Sequence, residues 1–273
     1  MKDLHIHTSY SDGEYKEHEI LDLIKKTNIT EFAICDHDTI EGSKKVYNLL
    51  QNENSKLIFH TGIELSCSIP DFKGKQIDVH LLARDFDYDD QFIADCIKQM
   101  HNNRIEKVVR MKKLVKEIYN FDVPQKDIEE VMKTTNSIGK PHIYKIMSSY
   151  NNYDRETFFK NMNKLKTSDL KLNAIDVIRQ MKNTQGYITL AHPIEIMEEY
   201  NMSYEDIDEL VLNLKNIGLE AIETKHSKHT KKDYLEFSKI AKKHNLKETQ
   251  GSDYHGPNIK PNVKLGVCEK KSK

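Results

Sequence analysis

Residues 3–13 read DLHIHTSYSDG. His5 and His7 stand two apart in Leu4–Thr8, an apolar-alternating stretch that predicts a short β-strand. Alternation puts both imidazoles on one face of that strand. The turn Tyr10-Ser11-Asp12-Gly13 brings a carboxylate to the same rim, and Gly13 permits the turn. A helical pattern follows over Lys16–Thr27, with apolar Ile20, Leu21, Leu23 and Ile24. Two imidazoles at i, i+2 can reach one metal ion. Such a pair also occurs as ordinary polar residues at a strand end, so its meaning rests on the rest of the chain.

The strand-then-helix unit recurs. Phe32–Cys35 predicts a strand and Glu41–Gln51 a helix, and Leu57–Phe59, Ile63–Ser66 and Ile77–Ala83 read as extended. Later come Tyr187–Ala191, Leu219–Glu223 and Glu248–Ser252 as strands, with Tyr204–Ile217 and Thr230–His244 as helices between them. This alternation implies parallel strands with right-handed crossovers. About seven units suffice to close a barrel, so the expected fold is α/β, a TIM-like (βα)7 barrel.

The stretch 98–171 breaks the rhythm. It carries long helical patterns (His101–Tyr119, Gln125–Lys133, Pro141–Tyr150) and few strand signals. It holds 16 Lys+Arg against 9 Asp+Glu, a balance of +7, while the rest of the chain holds 26 against 34, or −8. The near-neutral total of −1 over 273 residues thus hides a basic helical insertion in an acidic barrel. The expected organisation is a barrel from 1–97 and 172–273, with 98–171 as a helical insertion domain covering the active site. One reading of the insertion is a solvated excursion; the other is a cap that concentrates an anionic substrate. The lysine-rich tail Lys270–Lys273 reads as frayed.

Composition excludes several classes. The net charge gives no global attraction to nucleic acid or membrane. Cys35, Cys67, Cys96 and Cys268 are scattered without a CxxC pair, which argues against a disulfide scaffold or a cysteine zinc finger. The start, MKDLHIHTSY, lacks the apolar run of a signal peptide, and no stretch approaches the length of a membrane span. The expected compartment is the cytoplasm, with reduced thiols. No feature points to an obligatory protein partner.

Polar residues recur where strands should be apolar. CDHDT (35–39) follows the second strand, GIELS (62–66) places Glu64 in an apolar strand, and DVHLLA (78–83) places His80 between Val79 and Leu81. LAHP (190–193) carries His192, and GSDYHG (251–256) carries Asp253 and His255 at another i, i+2 spacing. A buried charge is costly unless paired or bound to a cation. Six such sites in or at the ends of strands are hard to explain separately, because barrel strand ends converge on one rim. The ligand set is His5, His7, Asp12, His37, Glu64, His80, His192, Asp253 and His255. Nine N/O donors exceed the needs of one ion and suit two or three divalent ions. Imidazole with carboxylate favours manganese, iron or zinc over calcium, and magnesium less. Asp36 and Asp38 are expected to orient a ligand histidine.

HIHTSYSDG, CDHDT, GIELS, LAHP and GSDYHG, in this order, resemble the PHP (polymerase and histidinol phosphatase) family of metal-dependent phosphoesterases. The resemblance spans residues 3 to 256 and implies a distorted (βα)7 barrel with a trinuclear site. It is closest to stand-alone nucleotide phosphoesterases that release phosphate from AMP or 3′,5′-bisphosphonucleotides, some of which trim short RNA from the 5′ end. By this similarity His5, His7, Glu64 and Asp253 hold one ion, Glu64, His80 and His192 a second, and Asp12, His37 and His255 the third. Some family members carry histidine at the position of Asp12, which alters metal preference. NNRIEK (102–107) and GKPHIYK (139–145) also resemble this branch, implying substrate contacts from Asn103, Arg104, Lys140 and His142. The family shows more arginine there. Pro141 marks a helix start, where Lys140 and His142 read as an anion site; the other reading is a solvated lysine and a capping histidine.

The expected activity is metal-assisted phosphomonoester hydrolysis, in which divalent ions supply charge to the phosphate and acidify water. The substrate is expected to be a small phosphorylated nucleotide or short single-stranded RNA, with no GxSxG or P-loop to suggest other chemistry. Histidinol-phosphate phosphatase is the nearest rival; a non-catalytic metal- or nucleic-acid-binding PHP module is another. His226 and His229 in ETKHSKH (223–229) fall at the same rim, with contact to substrate and plain solvent exposure equally open.

Overall fold

A computed structural model describes residues 1–53, 55–133, 138–165 and 167–269. The lysine tail Lys270–Lys273 lies outside them. The chain divides into two compact units, 1–97 with 172–273, and 98–171.

The first unit opens with β1 (Lys2–Ile6), α1 (Glu17–Lys25), β2 (Glu31–Ile34), α2 (Glu41–Gln51) and β3 (Ile58–His60). These three strands form one parallel sheet in the order β1-β2-β3. Ile20, Leu21 and Ile24 of α1 and Val46 of α2 pack on Ile6, Phe32 and Ile34, all buried. The amphipathic spacing seen in the sequence is therefore the spacing that closes this core. The Lys16 amide at the start of α1 donates to Glu19 Oε2 at 2.8 Å, one arm of a capping box.

A second sheet has the order β6-β4-β5-β7-β8-β9. Its strands are β4 (Gly62–Phe72), β5 (Lys75–Arg84), β6 (Leu172–Asn173), β7 (Tyr187–Leu190), β8 (Ala221–His226) and β9 (Lys247–Gly251). Uniform parallel pairing, expected from the alternation, does not hold. β4 and β5 form an antiparallel hairpin, and β5 pairs antiparallel with β7. The cause is local: Lys73 and Gly74, at φ 53° and 77°, make a two-residue turn whose twist suits antiparallel strands. No helix separates β4 from β5, so no crossover can make that pair parallel. α7 (Ala174–Met181) leads from β6 to β7, and β7, β8 and β9 are parallel, joined by α8 (Pro193–Tyr200), α9 (Tyr204–Ile217) and α10 (Lys231–Lys243). Ser203 with Asp206 and Thr230 with Asp233 form capping boxes that start α9 and α10.

The regular ladders are thus two sheets, not one continuous parallel barrel. Two single bridges join them, Ile6 with Tyr254 beyond β9 and His37 with Glu64. Both bridges fall on histidine-carboxylate motifs.

The second unit has a core of its own. Within it lie most of α3 (Gln91–Tyr119), α4 (Gln125–Met132), α5 (Lys140–Tyr150) and α6 (Arg155–Met162). Met111, Val115, Ile128, Ile143, Met147, Phe158 and Met162 pack together, buried. Among the described residues, no helix is long and apolar enough to cross a membrane.

Candidate metal centre

β1 delivers His5, and His7 follows one residue beyond it. The His7 amide donates to Tyr254 O at 2.9 Å and the Asp253 amide to His5 O at 2.8 Å, which fixes the first and last motifs side by side. Glycine is required at two of these approaches. A Cβ at Gly251 would lie 2.1 Å from His5 Cβ, and one at Gly13 would lie 2.7 Å from the His7 carbonyl oxygen. Gly13 therefore serves by its lack of a side chain, not by a left-handed backbone.

Glu64, fully buried in β4, is the hub. Its Oε2 lies 3.1 Å from His5 Nε2, 3.1 Å from His7 Nε2 and 3.2 Å from His37 Nδ1. Its Oε1 lies 2.9 Å from His80 Nδ1 and 3.0 Å from His192 Nε2. Asp253 Oδ1 lies 3.3 Å from both His7 Nε2 and His255 Nδ1. Asp12, half exposed, faces His255 Nε2 at 3.2 Å and His7 Nδ1 at 3.5 Å. All nine residues singled out in the sequence therefore meet in one place.

Their atoms fall into four overlapping groups able to hold an ion: His5, His7 and Asp253; His5, Glu64 and His192; His37, Glu64 and His80; and His7, Asp12, His37 and His255. His80 and His192 both reach Glu64 Oε1, but they fall in different groups, His80 with His37 and His192 with His5. Asp36 and Asp38 orient loops. Asp36 accepts from the Thr8 amide at 2.7 Å, the Thr8 hydroxyl at 2.6 Å and the Ser11 hydroxyl at 2.7 Å. Asp38 accepts from the Ser66 amide at 2.8 Å and hydroxyl at 3.0 Å, locking the second motif onto β4. Asp38, His192 and Asp253 have φ of 54°, 24° and 57°. This region is sparsely populated by non-glycine residues and clusters at functional sites; His192 also precedes a proline.

The electrostatics call for positive charge. Burial opposes ionisation of Glu64, yet His37, His5 and His80 hold its carboxyl well below the usual range. Burial likewise opposes ionisation of Asp253, but His226 and His7 depress it well below. Burial works against a charged His5, while Glu64 and Glu223 outweigh it and lift that imidazole well above its ordinary value. His7 rises to about 9 against its burial, through Asp253 and Glu64. His37 goes the other way, to about 4, chiefly by burial, with His7 adding repulsion. Carboxylates that stay ionised and imidazoles drawn toward protonation describe a centre short of cations. His7 Nε2, His80 Nδ1 and His226 Nε2 are buried and make no hydrogen bond despite carboxylate oxygens within 3.3 Å. Of these, His7 and His80 belong to groups able to hold an ion, and their unsatisfied ring nitrogens suit that role. The donor set thus fits divalent metals.

Sequence reasoning left out Glu223, Lys260 and Glu195, and left the roles of His226 and His229 open. Glu223, buried in β8, touches His5 and the His192 backbone. His226, open until now, is buried with Nε2 3.3 Å from Asp253 Oδ2, and His229 is buried with Nδ1 donating to Thr224 O at 2.8 Å; neither is a solvent-exposed loop residue. Lys260 donates to Asp253 Oδ2 at 2.6 Å, and Glu195 lies 3.4 Å from His192 Nδ1. The signal for Glu223 was present: it is a glutamate inside an apolar strand, LEAIE, as Glu64 is in GIELS.

The four expected substrate contacts lie in the second unit. Asn103 donates to Leu170 O at 2.9 Å and Lys140 to Asn163 Oδ1 at 2.9 Å. His142 Nδ1 accepts the Gly139 amide at 3.0 Å, so it caps α5. Arg104 is half-buried.

The PHP domain family matches residues 3–220. The chain belongs to the PHP family. Among curated proteins, it is 25% identical over 264 residues to phosphoribosyl 1,2-cyclic phosphate 1,2-diphosphodiesterase of Eggerthella lenta, covering 94% of each chain. It is 23% identical to a 5′-3′ exoribonuclease of Haemophilus influenzae, covering 93% of this chain and 90% of that one. It is 24% identical to 3′,5′-nucleoside bisphosphate phosphatase of Chromobacterium violaceum, covering 93% and 87%. Among solved structures, an amidohydrolase from Chromobacterium violaceum aligns with a TM-score of 0.73 at 22% identity, over 98% of this chain and 93% of that one. A structure described as a metal-dependent phosphoesterase, from Bifidobacterium adolescentis, aligns with a TM-score of 0.70 at 24% identity, over 99% and 92%. These likenesses establish the fold of this PHP protein as mixed α/β.

Proposed function

We propose that this PHP protein is a metal-dependent phosphoesterase acting on small phosphorylated nucleotides. The carrying observation is Glu64, a buried carboxylate with five imidazole nitrogens within 3.2 Å. The relatives' names support the substrate class, since they act on a phosphoribosyl cyclic phosphate, on RNA and on a nucleoside bisphosphate. We further read the two sheets as a distorted barrel, supported by the two bridges between them, and the compartment as cytoplasmic, supported by free cysteines.

The nine donors, His5, His7, Asp12, His37, Glu64, His80, His192, Asp253 and His255, would hold two or three ions of manganese, iron or zinc, since the four groups share members. Bound there, the ions would supply Lewis-acid charge to a phosphate and acidify water. The chain's own residues do the rest. Glu64 and Asp253 concentrate negative charge to hold the cations. Thr8 and Ser11, tied to Asp36, keep Asp12 at the open side of the cluster. Lys260 brings a fixed cation beside Asp253, the sign a phosphoester needs. Arg104 and Lys140 are proposed as substrate contacts on the strength of their charge and motif; Asn103 and His142 join them only with atoms not already bonded within the insertion. Hydrolysis adds water across the P–O bond: its oxygen joins phosphorus and the ester oxygen leaves protonated.

The test is phosphate release by the manganese-loaded protein from 3′,5′-bisphosphoadenosine, AMP, phosphoribosyl 1,2-cyclic phosphate with a coupled monoesterase, and histidinol phosphate. Turnover of the nucleotides above histidinol phosphate is expected. Inactivity on all four, with metal bound, sinks the reading. Mononucleotide release from 5′-phosphorylated oligoribonucleotides would extend it to RNA.

A further inference from the structure

Glu223 belongs to no group of candidate ligands, yet it is fully buried against the centre. Its two oxygens have separate tasks. Oε1 faces His5 Nδ1 at 3.3 Å, and Oε2 accepts the backbone amide of His192 at 2.9 Å. Both neighbours are donors: a carboxylate only accepts, so the first contact places a proton on His5 Nδ1. The other nitrogen, Nε2, is the one that faces Glu64 at 3.1 Å and Asp253 at 3.8 Å.

We propose that Glu223 is a positioning residue that fixes His5 with its proton on Nδ1, leaving the Nε2 lone pair for a metal ion, while it anchors the His192 turn. The inference rests on the metal reading above. A ligating imidazole is commonly held by a carboxylate on its far nitrogen, which sets tautomer and ring angle. Here one carboxylate does this for His5 and pins the backbone of His192, which shares a group with His5 and Glu64. His192 sits at φ 24° before Pro193, a conformation its own sequence does not favour, and the bond from Glu223 helps hold it. Gly251 is part of the same arrangement, because a Cβ there would fall 2.6 Å from Glu223 Oε1.

Glutamine at this position is isosteric but frustrated. It offers one acceptor oxygen to two donors. If the oxygen keeps the His192 amide, the NH2 group faces His5 Nδ1, which must then accept, and the proton moves to Nε2 where an ion would bind. If the oxygen keeps His5, an NH2 group meets an amide N–H. Aspartate keeps two acceptors on a shorter stem.

The experiment uses the full chain as wild type, Glu223→Gln and Glu223→Asp. Zinc affinity is measured by competition with a chelating dye, and the histidine nitrogens of the zinc-loaded protein are read by long-range 1H–15N NMR. Wild-type His5 is expected to carry its proton on Nδ1 and bind through Nε2. Glu223→Gln is expected to weaken the tightest site about 10- to 100-fold, with Glu223→Asp recovering part of the loss. A wild-type His5 that binds zinc through Nδ1, or a folded Glu223→Gln with wild-type affinity and spectrum, overturns the proposal. If Glu223→Gln does not fold, the wild-type spectrum and Glu223→Asp decide. Wild-type protein that binds no zinc or manganese overturns the metal reading instead.

Discussion

Glu64 and Arg84 are both charged, both buried, and two rungs apart on the paired strands β4 and β5, where Gly62 faces Arg84 and Glu64 faces Leu82. Their surroundings are opposite. Arg84 is closed in by neutral groups: NH1 donates to Leu4 O at 3.2 Å, NH2 to the Thr189 hydroxyl at 2.7 Å, and the guanidinium lies 5.2 Å from the Tyr187 ring centre. Glu64 is ringed by five titratable histidines, two of them partly exposed. One charge completes a core; the other gathers ligands. Burial alone does not separate them, since both cost desolvation; the chemistry of the neighbours does.

The comparison breaks first at Glu64. Replacing it with glutamine keeps volume and removes the charge shared by five imidazoles. Several kcal/mol of transition-state stabilisation should go with the ions, so phosphate release should fall by about 10³-fold. The gain in Tm that manganese gives the wild type should vanish too, because that gain is ligand linkage, about 2.7 kcal/mol at a hundredfold excess over Kd. Steady-state assays and thermal melts with and without chelator check both. A variant that keeps metal-dependent stabilisation would make Glu64 another Arg84.

Arg84→Met should do the reverse. It strands the Thr189 hydroxyl and leaves the Leu4 carbonyl only the weak Cys35 thiol donor at 3.5 Å, at about 1–3 kcal/mol for a buried group left unpaired. Urea unfolding should show a loss on the order of 2–4 kcal/mol, while manganese per folded chain stays at the wild-type value. A fall in metal content with no loss of stability would erase the distinction.

The same contrast explains what the sequence could reveal. Histidines and a glutamate in apolar strands stand out because such residues need a reason to be buried, and the nine candidate ligands that the fold brings together were legible on that ground. Arg84 stood equally buried in LLAR and said nothing, because its partners are a carbonyl and a hydroxyl brought from residues 4 and 189, with no motif of their own. Glu223 escaped because its role is to hold another ligand. The strand-helix alternation identified the α/β class, but the antiparallel β4–β5 hairpin turned on a single Lys73-Gly74 dipeptide, a weak signal beside eight strand patterns. The second unit was legible as helical and basic because periodicity and charge are local properties.

Lys260 lies between the two extremes. Its ammonium is partly buried and paired with Asp253 at 2.6 Å, and burial, which works against its charge, is outweighed by Asp253, so its pKa is raised. Lys260→Met should leave the ligand set intact and remove a cation from the substrate's surroundings. KM for a phosphorylated nucleotide should rise about 10-fold, the lower end for a hydrogen bond to a charged group, with kcat and metal content little changed. A matching fall in metal content would place Lys260 with the ligand scaffold instead.

The smallest effect belongs to a charge that faces solvent. His60, in β3, lies 2.7 Å from Asp85 and 3.1 Å from Glu31 and is not part of the ligand set. Its pKa is raised above the ordinary 6.5 chiefly by the hydrogen bond it donates to Asp85, against its partial burial, with Glu31 adding to the rise. A histidine whose folded pKa is raised stabilises most when protonated in both states. The contribution is therefore complete below about 6.5 and is lost as pH climbs through the folded value. Partial exposure keeps it under about 1 kcal/mol. Metal-free protein, unfolded in urea at pH values from 6 upward, should show that decline, and His60→Gln should flatten it. His5 and His7 have raised values as well and add their own slope in metal-free protein, so the quantity to compare is the difference between wild type and His60→Gln. A difference that grows with rising pH would mean that His60 is favoured neutral, contrary to its two carboxylate neighbours. A difference that shrinks as stated, and is blunted by added salt, would place His60 among screened surface pairs, a third kind of charge beside the sealed guanidinium and the ligand-gathering carboxylate.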